Sequence, residues 1–339
     1  METQEKKRKL IWIVGPLFVL AGFLALFFFK AGFTVSQVID WTGAVLPSSA
    51  DLPQLPEDDP NRLNILLLGM RGAEDNDNDG RFLSDTIILA SIEKDTGKTA
   101  LISLPRDLYV RIWCVPETKK INFAYAYGGL DCAKKTVSLV TGLFVDYAIS
   151  VDFRALQETV EALGGITIYR ETPFEESFQW AKEGWEEDKH WFIKEIDGEE
   201  KWVFYVPEGE SELDSQTALY YARSRYSTND FDRMRRQQQI ILAIKEKALT
   251  LGVLANPVKV YNLMDVLGNN VKTDMNLSAI KQTIGLAAGL DLDNIKKEVI
   301  DISPNGLLYQ TFIEEEYVLL PIGDNFDRIK EVCQNIFND

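Results

Sequence analysis

One histidine and three cysteines leave this chain of 339 residues short of the usual reactive side chains. A lone imidazole, His190, cannot build a histidine-based triad or a multi-histidine metal site, and it reads as a solvated surface residue. Cys114 and Cys132 lie eighteen positions apart in one loop-rich region, and Cys333 sits alone near the C-terminus. A Cys114–Cys132 bridge is permitted outside the cytoplasm, but separation in sequence does not show whether two Cα atoms come within bonding reach. Positive charge is also scarce, with 36 Lys and Arg against 52 Asp and Glu and a net charge of -16. No amphipathic basic surface is present to track a nucleic-acid backbone, so no nucleic-acid partner is expected. Low-complexity tracts and internal repeats are absent as well.

Against this acidic background, the apolar fraction of 46% is ample for a sizeable core. The first feature is Lys6, Lys7, Arg8 and Lys9, followed by twenty uncharged residues from Leu10 to Phe29. At the helical rise of about 1.5 Å per residue, such a run spans about 30 Å, one hydrocarbon core. The basic residues stay cytoplasmic and send the rest of the chain across the membrane. The run is longer than a signal-peptide apolar region, and no small-x-small cleavage site closes it, so an uncleaved anchor is preferred to a cleaved signal. Residues 1–9 are therefore a cytoplasmic basic segment and 10–29 a transmembrane anchor. Residues 30–62 carry Pro47, Pro53, Pro56 and Pro60 with acids between them, a tether that resists packing.

Order is expected from residue 63 to 339. NILLLGM, Asn64 to Met70, and TIILASI, Thr86 to Ile92, are continuous apolar runs suited to strands buried on both faces. The Asp95-Thr96-Gly97 turn joins the second run to KTALISL, Lys98 to Leu104, as an antiparallel hairpin. Helical patterning starts near Ile121, breaks at Gly128-Gly129 and resumes from Cys132 to Phe144. A strand (YAISVDF), a helix (Arg154 to Leu163) and a further strand (Ile166 to Tyr169) follow. Strands alternating with helices predict a layered α/β domain, and the hairpin makes its sheet mixed. Residues 171–211 interrupt this rhythm with Trp180, Trp185, Trp191 and Trp202 among glutamates. They form either a glycan-contacting lid or, as buried tryptophan prefers, an excursion packed by its own aromatics. Helices are expected from Ser215 to about Tyr221 and from about Asp232 to Leu251, the latter with Met234, Ile241, Ile244 and Ala248 as its apolar stripe. Residues 256–339 complete the domain, with helical patterns at Leu277 to Ala287 and Phe326 to Phe337 and extended pieces near Glu298 to Ile302 and Tyr317 to Pro321.

The stretch from Leu219 to Gln239 holds five of the fourteen arginines, namely Arg223, Arg225, Arg233, Arg235 and Arg236. Arginine keeps its charge and presents a planar fork that matches phosphate oxygens two at a time, so the cluster suits an anionic phosphate partner. The plainer alternative is a solvated basic helix face. A helix that opens at Arg233 adds its own N-terminal dipole to that charge. Arg223 and Arg225 end one helix as Arg233 opens the next, which lets these three meet one pyrophosphate, whereas Arg235 reads as a surface charge. Asp85, at the entrance of a buried strand, can hold Mg²⁺, a metal content with one or two carboxylates and substrate phosphates. Asp75, Asp77 and Asp79 alternate like a calcium loop. The twelfth position counted from Asp75 is Thr86 rather than glutamate, so they read as turn residues or a second metal ligand. Arg106, Lys120 and Asn122 supply a further cationic wall, or, taken singly, Arg106 is an ion-pair partner of Asp107.

Six blocks now stand in order: NILLLG, SDTIILASI, ISLPRDLYV, KINFAYAYGG, LDSQTALYYARSR and NDFDRMRRQQQ. Behind an N-terminal anchor, they closely resemble the LytR-CpsA-Psr family of bacterial envelope proteins. The resemblance covers about residues 63 to 250. It implies a three-layer α/β/α fold around a mixed sheet and transfer of a phosphate-linked glycopolymer from a polyprenyl-pyrophosphate lipid to peptidoglycan at the outer face of the membrane. It also implies Mg²⁺ or Mn²⁺. Matched to the family's blocks, Asp85 is the metal ligand and, with Arg106 and Arg225, catalytic. Arg106, Arg223, Arg225, Arg233 and Gln237 match the family's pyrophosphate-binding positions, and Arg81, Lys120 and Asn122 join them as expected pyrophosphate ligands. Two positions depart from the pattern: Arg71 stands where a second metal-binding aspartate is usual, and Phe82 and Leu83 separate Gly80-Arg81 from Ser84-Asp85. Arg71 would offer direct positive charge in place of a metal contact. The alternatives are a noncatalytic lipid-pyrophosphate scaffold and a lipid pyrophosphatase.

Overall fold

The structure is a computed structural model that describes residues 53–70, 82–177, 189–250, 271–276, 278–279 and 294–338. The expected anchor at Leu10 to Phe29, most of the tether, Arg71, Asp75, Asp77, Asp79, Arg81, Trp180, Trp185 and nearly all of the expected helix at Leu277 to Ala287 lie outside the described residues. The chain divides into two compact units, Met1–Ala155 with Met264–Asp339, and Leu156–Leu263.

In chain order the first unit contributes β1 (Arg62–Met70), β2 (Ser84–Glu93), β3 (Thr99–Ser103), β4 (Tyr109–Arg111), β5 (Thr118–Lys120), helix α1 (Phe123–Thr141) and β6 (Tyr147–Asp152). Helix α2 (Phe153–Ala162) leads into the second unit, which holds β7 (Ile166–Arg170), β8 (Phe174–Glu176), β9 (Trp191–Ile196), β10 (Glu199–Val206), β11 (Gly209–Leu213), α3 (Ser215–Arg223) and α4 (Asp230–Thr250). The chain then returns to the first unit for β12 (Val271–Thr273), β13 (Lys296–Val299), β14 (Leu308–Ile313), β15 (Glu316–Pro321) and α5 (Asp327–Gln334).

The first unit is built on a sheet of order β12-β6-β1-β2-β3-β13. β1 runs antiparallel to β2 and parallel to β6, β3 antiparallel to β2 and parallel to β13, and β12 antiparallel to β6. The sheet is therefore mixed, as the short Asp95-Thr96-Gly97 connection requires. Its central strands are aliphatic on both faces. Leu63 and Ile65 of β1 pack with Ile92, Ile149, Met275 and Ala279, while the alternate residues Leu66 and Leu68 are buried as well. Each fully buried aliphatic side chain is worth about 1.5–3 kcal/mol. Gly69 closes β1 where the pairing with β2 shifts register, and a Cβ there would lie 2.7 Å from Thr86 Cβ. The absent side chain lets β2 approach at the point where Asp85 enters it.

Helix α1 carries the expected glycine break inside it, with non-helical dihedrals at Gly128 and Gly129. Cys114 and Cys132 form a disulfide with a Cα separation of 5.5 Å, and a Cβ on Gly128 would fall 2.7 Å from Cys132 Cβ and 3.0 Å from Cys114 Sγ. The break thus makes room for the bridge. Arg62, buried at the start of β1, donates from Nη1 to Gln334 O (3.1 Å) and from Nη2 to Cys333 O (2.8 Å), closing the C-terminal end of α5.

In the second unit, β7 pairs with β11 as an antiparallel ribbon, and β8, β10 and β9 form a separate three-stranded sheet. β7 thus belongs to a small ribbon, although the strand–helix alternation suggested a continuous layered sheet. The described part of the aromatic segment packs on itself: the Trp191 ring lies 5.1 Å from Phe204 and 5.3 Å from Tyr220, and Phe174 lies 5.6 Å from Tyr221. His190 corrects the expectation of a surface residue. It is buried, with Nδ1 3.0 Å from Tyr205 O and Nε2 3.0 Å from Glu212 O, so both ring nitrogens find backbone partners inside the unit.

Asp214 caps α3 by accepting from Thr217 N (2.7 Å), and Asn229 Oδ1 accepts from Asp232 N (2.9 Å) at the start of α4. The buried face of α4 differs from the expected stripe. Phe231, Arg233, Met234, Arg236, Gln238, Ile240 and Ala243 are buried, Ile241 and Ile244 are half-buried, and the side chain of Ala248 lies outside the described ones. A stripe chosen by hydrophobicity alone rotates away from the true face, because two buried arginines hold places in it.

Candidate functional site

Within the first unit, one end of the sheet gathers an alternating series of charges. Asp85 is the second residue of β2, and Arg106 follows Pro105 just past the end of β3. Arg106 Nη1 lies 2.5 Å from Asp85 Oδ1, and its Nε lies 3.5 Å from Asp107 Oδ2. Lys120, the last residue of β5, places Nζ 3.1 Å from Asp107 Oδ1 and 3.0 Å from Glu316 Oε1 at the start of β15. Burial alone would lower the Lys120 pKa, but the bonds with Glu316 and Asp107 outweigh it and raise the pKa above the ordinary lysine value. The order is thus Asp85, Arg106, Asp107, Lys120, Glu316, two cations against three carboxylates. Hydrogen bonds through Asn122 hold the series in register. Its N–H donates to Arg106 O (3.4 Å), its carbonyl accepts from Ser84 N (3.2 Å), and its buried Oδ1 has no hydrogen-bond partner among the described residues.

These residues define which metal they fit. Among the described residues, no three His, Cys, Asp or Glu side chains gather as a cage. With one carboxylate, already paired with Arg106, and one partnerless amide oxygen, any cation held here would have to take most of its ligands from water and phosphate, the pattern of Mg²⁺.

Within the second unit, the arginine cluster separates into different kinds. Arg223, the last residue of α3, and Arg225, in the following loop, are half-buried. The Arg225 guanidinium lies 5.6 Å from the Tyr226 ring, and among the described residues it pairs with no carboxylate. Arg233 is buried, with Nη2 2.8 Å from Asp230 Oδ1. Arg235 is half exposed and pairs with Asp232 at 3.0 Å. Arg236 is buried and donates to the carbonyls of Tyr221 and Ser224. Gln237 Nε2 donates to Ala222 O at 3.3 Å, and its buried Oε1 has no partner among the described residues. Arg81 lies outside them. Two residues in contact with this machinery had no sequence signal: Glu316, in the acidic Glu314-Glu315-Glu316 turn, and Glu176, which stands 50 residues from the backbone it binds.

Residues 44–331 match the LytR_cpsA_psr family. The chain belongs to that family. Among its LytR_cpsA_psr relatives, the polyisoprenyl-teichoic acid–peptidoglycan teichoic acid transferase TagU of Enterococcus faecalis is 29% identical over 261 residues, 75% of this chain and 75% of its own. The Bacillus subtilis enzyme of the same designation, TagT, is 27% identical over 327 residues, covering 91% of this chain and 92% of its own. The crystal structure of B. subtilis TagV superposes with a TM-score of 0.58 at 22% identity, over 82% of this chain and 97% of that one. That likeness is one of fold, a mixed α/β architecture around a central mixed sheet.

Proposed function

We propose that this chain is a phosphotransferase that moves a phosphate-linked glycopolymer from a polyprenyl-pyrophosphate carrier to peptidoglycan. Membership of the LytR_cpsA_psr family across residues 44–331, with transferases of that activity similar over most of their length, carries the reading. In the reaction, an acceptor hydroxyl of peptidoglycan forms a P–O bond to the glycan-proximal phosphorus. The bridging P–O bond of the pyrophosphate breaks, the lipid leaves as a monophosphate, and the hydroxyl proton passes to a base or to solvent.

Such a transfer depends on positioning and on stabilising charge at the phosphoryl oxygens. In the second unit, Arg225 is suited to that work because no carboxylate among the described residues neutralises it. Arg223 precedes it by two positions, and Arg233 and Gln237 follow on α4 as further pyrophosphate ligands. In the first unit, Asp85 would hold Mg²⁺ or Mn²⁺, and Arg106, Lys120 and Asn122 would hold phosphate oxygens. With two cations against three carboxylates, that series does not favour an anion unaided. When bound, a divalent cation would neutralise phosphate charge there. Arg81 is a further proposed pyrophosphate ligand, and Arg71 a proposed source of direct positive charge in place of a second metal ligand.

The finer architecture belongs to the same proposal: three layers α/β/α behind one transmembrane helix at Leu10 to Phe29, with the N-terminus cytoplasmic and the main body facing outward. That placement brings the protein to a lipid presented at the outer leaflet. Incubating the purified chain with a polyprenyl-pyrophosphate-linked glycan, peptidoglycan oligomers and Mg²⁺ tests it. Glycan attached to peptidoglycan, and abolished by chelator, is the expected product. Lipid binding that ignores chelator and yields no turnover would instead support a scaffold, and free polymer without attachment would support a pyrophosphatase.

A further inference from the structure

Arg225 belongs to residues 224–229, the six residues between the end of α3 at Arg223 and the start of α4 at Asp230. A short polar connection does not by itself fix a side chain in one place. Two buried charged residues bind the backbone on either side of Arg225. Glu176 of β8 is completely buried, and its Oε2 accepts from Tyr226 N (2.9 Å) and Ser227 N (3.2 Å). Arg236 of α4 is 3% exposed and donates from Nη2 to Ser224 O, from Nε to Tyr221 O (3.1 Å) and from Nη1 to Thr228 Oγ1 (3.2 Å). Its guanidinium lies 4.6 Å from the centre of the Phe174 ring.

The carbonyl before Arg225 is therefore held by a buried cation, and the two amides after it by a buried anion. Two successive N–H groups form the kind of nest that cups an anion, and here the anion is the protein's own carboxylate. Burying a carboxylate and a guanidinium is costly unless each finds hydrogen bonds, and both find them on this loop and the end of α3 that leads into it. Apolar side chains of similar size could not replace them, because the Ser224 carbonyl and the Tyr226 and Ser227 amides would lose these partners.

We propose that Glu176 and Arg236 are positioning residues for Arg225, clamping both of its peptide bonds so that its unneutralised guanidinium is presented in one orientation to the pyrophosphate of the lipid donor. The clamp rests on the reading of Arg225 as a pyrophosphate ligand, and it assigns a role to two residues that need not touch substrate.

A double-mutant cycle with the full-length chain tests it, using a short-chain polyprenyl-pyrophosphate disaccharide as donor and peptidoglycan oligomers as acceptor, in Mg²⁺. Arg225→Ala should lower kcat/KM by ~10²-fold or more. Glu176→Gln, which keeps the shape and removes the charge, should lower it about tenfold, the scale of a weakened charged hydrogen bond. That loss should appear in KM for the donor, with KM for the acceptor unchanged. In the Arg225→Ala background the Glu176→Gln penalty should vanish, since nothing is left to position. Equal penalties in both backgrounds, or a Glu176→Gln enzyme with full activity beside an impaired Arg225→Ala enzyme, would overturn the clamp alone. Full activity in Arg225→Ala would overturn the ligand reading beneath it, and the clamp with it. If Glu176→Gln does not fold, Thr228→Val removes one acceptor of Arg236 and runs through the same cycle, with a smaller donor-KM effect that again depends on Arg225.

Discussion

In the first unit Arg106 and Lys120 are held through their charges, by Asp85 and Asp107 and by Asp107 and Glu316 respectively. In the second unit Arg225 meets no carboxylate among the described residues and sits in a loop whose backbone is held by Glu176 and Arg236. The two arrangements present positive charge differently. A cation held by carboxylates is largely neutralised before a phosphate arrives, and at about 4 Å each competing charge is worth about 4 kcal/mol at an effective dielectric near 20. A cation held through its backbone keeps its full charge. In the proposed transfer, Arg225 would therefore meet phosphate charge unopposed, and the first unit's series would need a divalent cation to do the same.

Arg225→Ala should break the comparison hardest, lowering transfer by ~10²- to 10³-fold with the fold intact by circular dichroism. A loss of less than threefold would mean that freedom from carboxylates has no bearing on catalysis. Arg106→Ala should fall nearly as far, by about 10²-fold, and Arg106→Lys should recover only part of it, because an ammonium does not reproduce the planar fork beside Asp85. Glu316→Gln should act in the opposite direction. Removing one of the two carboxylates on Lys120 should lower KM for the lipid donor by a few-fold, on the scale of a single partly exposed ion pair. A higher donor KM in that variant would show that Glu316 aims Lys120 rather than restraining it. The smallest effect is expected at Cys333: burial pushes its thiol up to about 12, so its thiolate is scarce. At pH 8 only about one molecule in ten thousand would carry it, and alkylation should wait for unfolding. Rapid labelling of the native protein would contradict that burial.

The elements legible in the sequence are those set by local pattern. β1, β2 and β3 follow from continuous aliphatic runs and a two-way turn at Asp95-Thr96-Gly97, and the break in α1 from Gly128-Gly129. Pairing over long distances was not legible. Nothing in Ile166 to Tyr169 tells that this strand pairs with β11 as a ribbon, and nothing in Val271 or Lys296 tells that their strands edge the central sheet. The site divides in the same way. Asp85, Arg106, Lys120 and the arginine cluster stand out as blocks, whereas Glu316 and Glu176 are ordinary glutamates in acidic surroundings until the fold brings them to Lys120 and to the loop after Arg225. His190 and the disulfide failed to declare themselves for the same reason, since burial and Cα separation are tertiary facts. Arg236 shows that a basic residue in a phosphate-like cluster can serve the protein's own carbonyls instead.

Transfer by the purified chain of a radiolabelled glycan from a polyprenyl-pyrophosphate carrier to peptidoglycan oligomers, with Mg²⁺ present and then chelated, tests the central claim most directly. The account predicts label covalently attached to peptidoglycan, release of the lipid monophosphate in equal amount, and loss of both with chelator or with Arg225→Ala. Lipid monophosphate released without label on peptidoglycan, or binding of the carrier with no turnover at all, would contradict it.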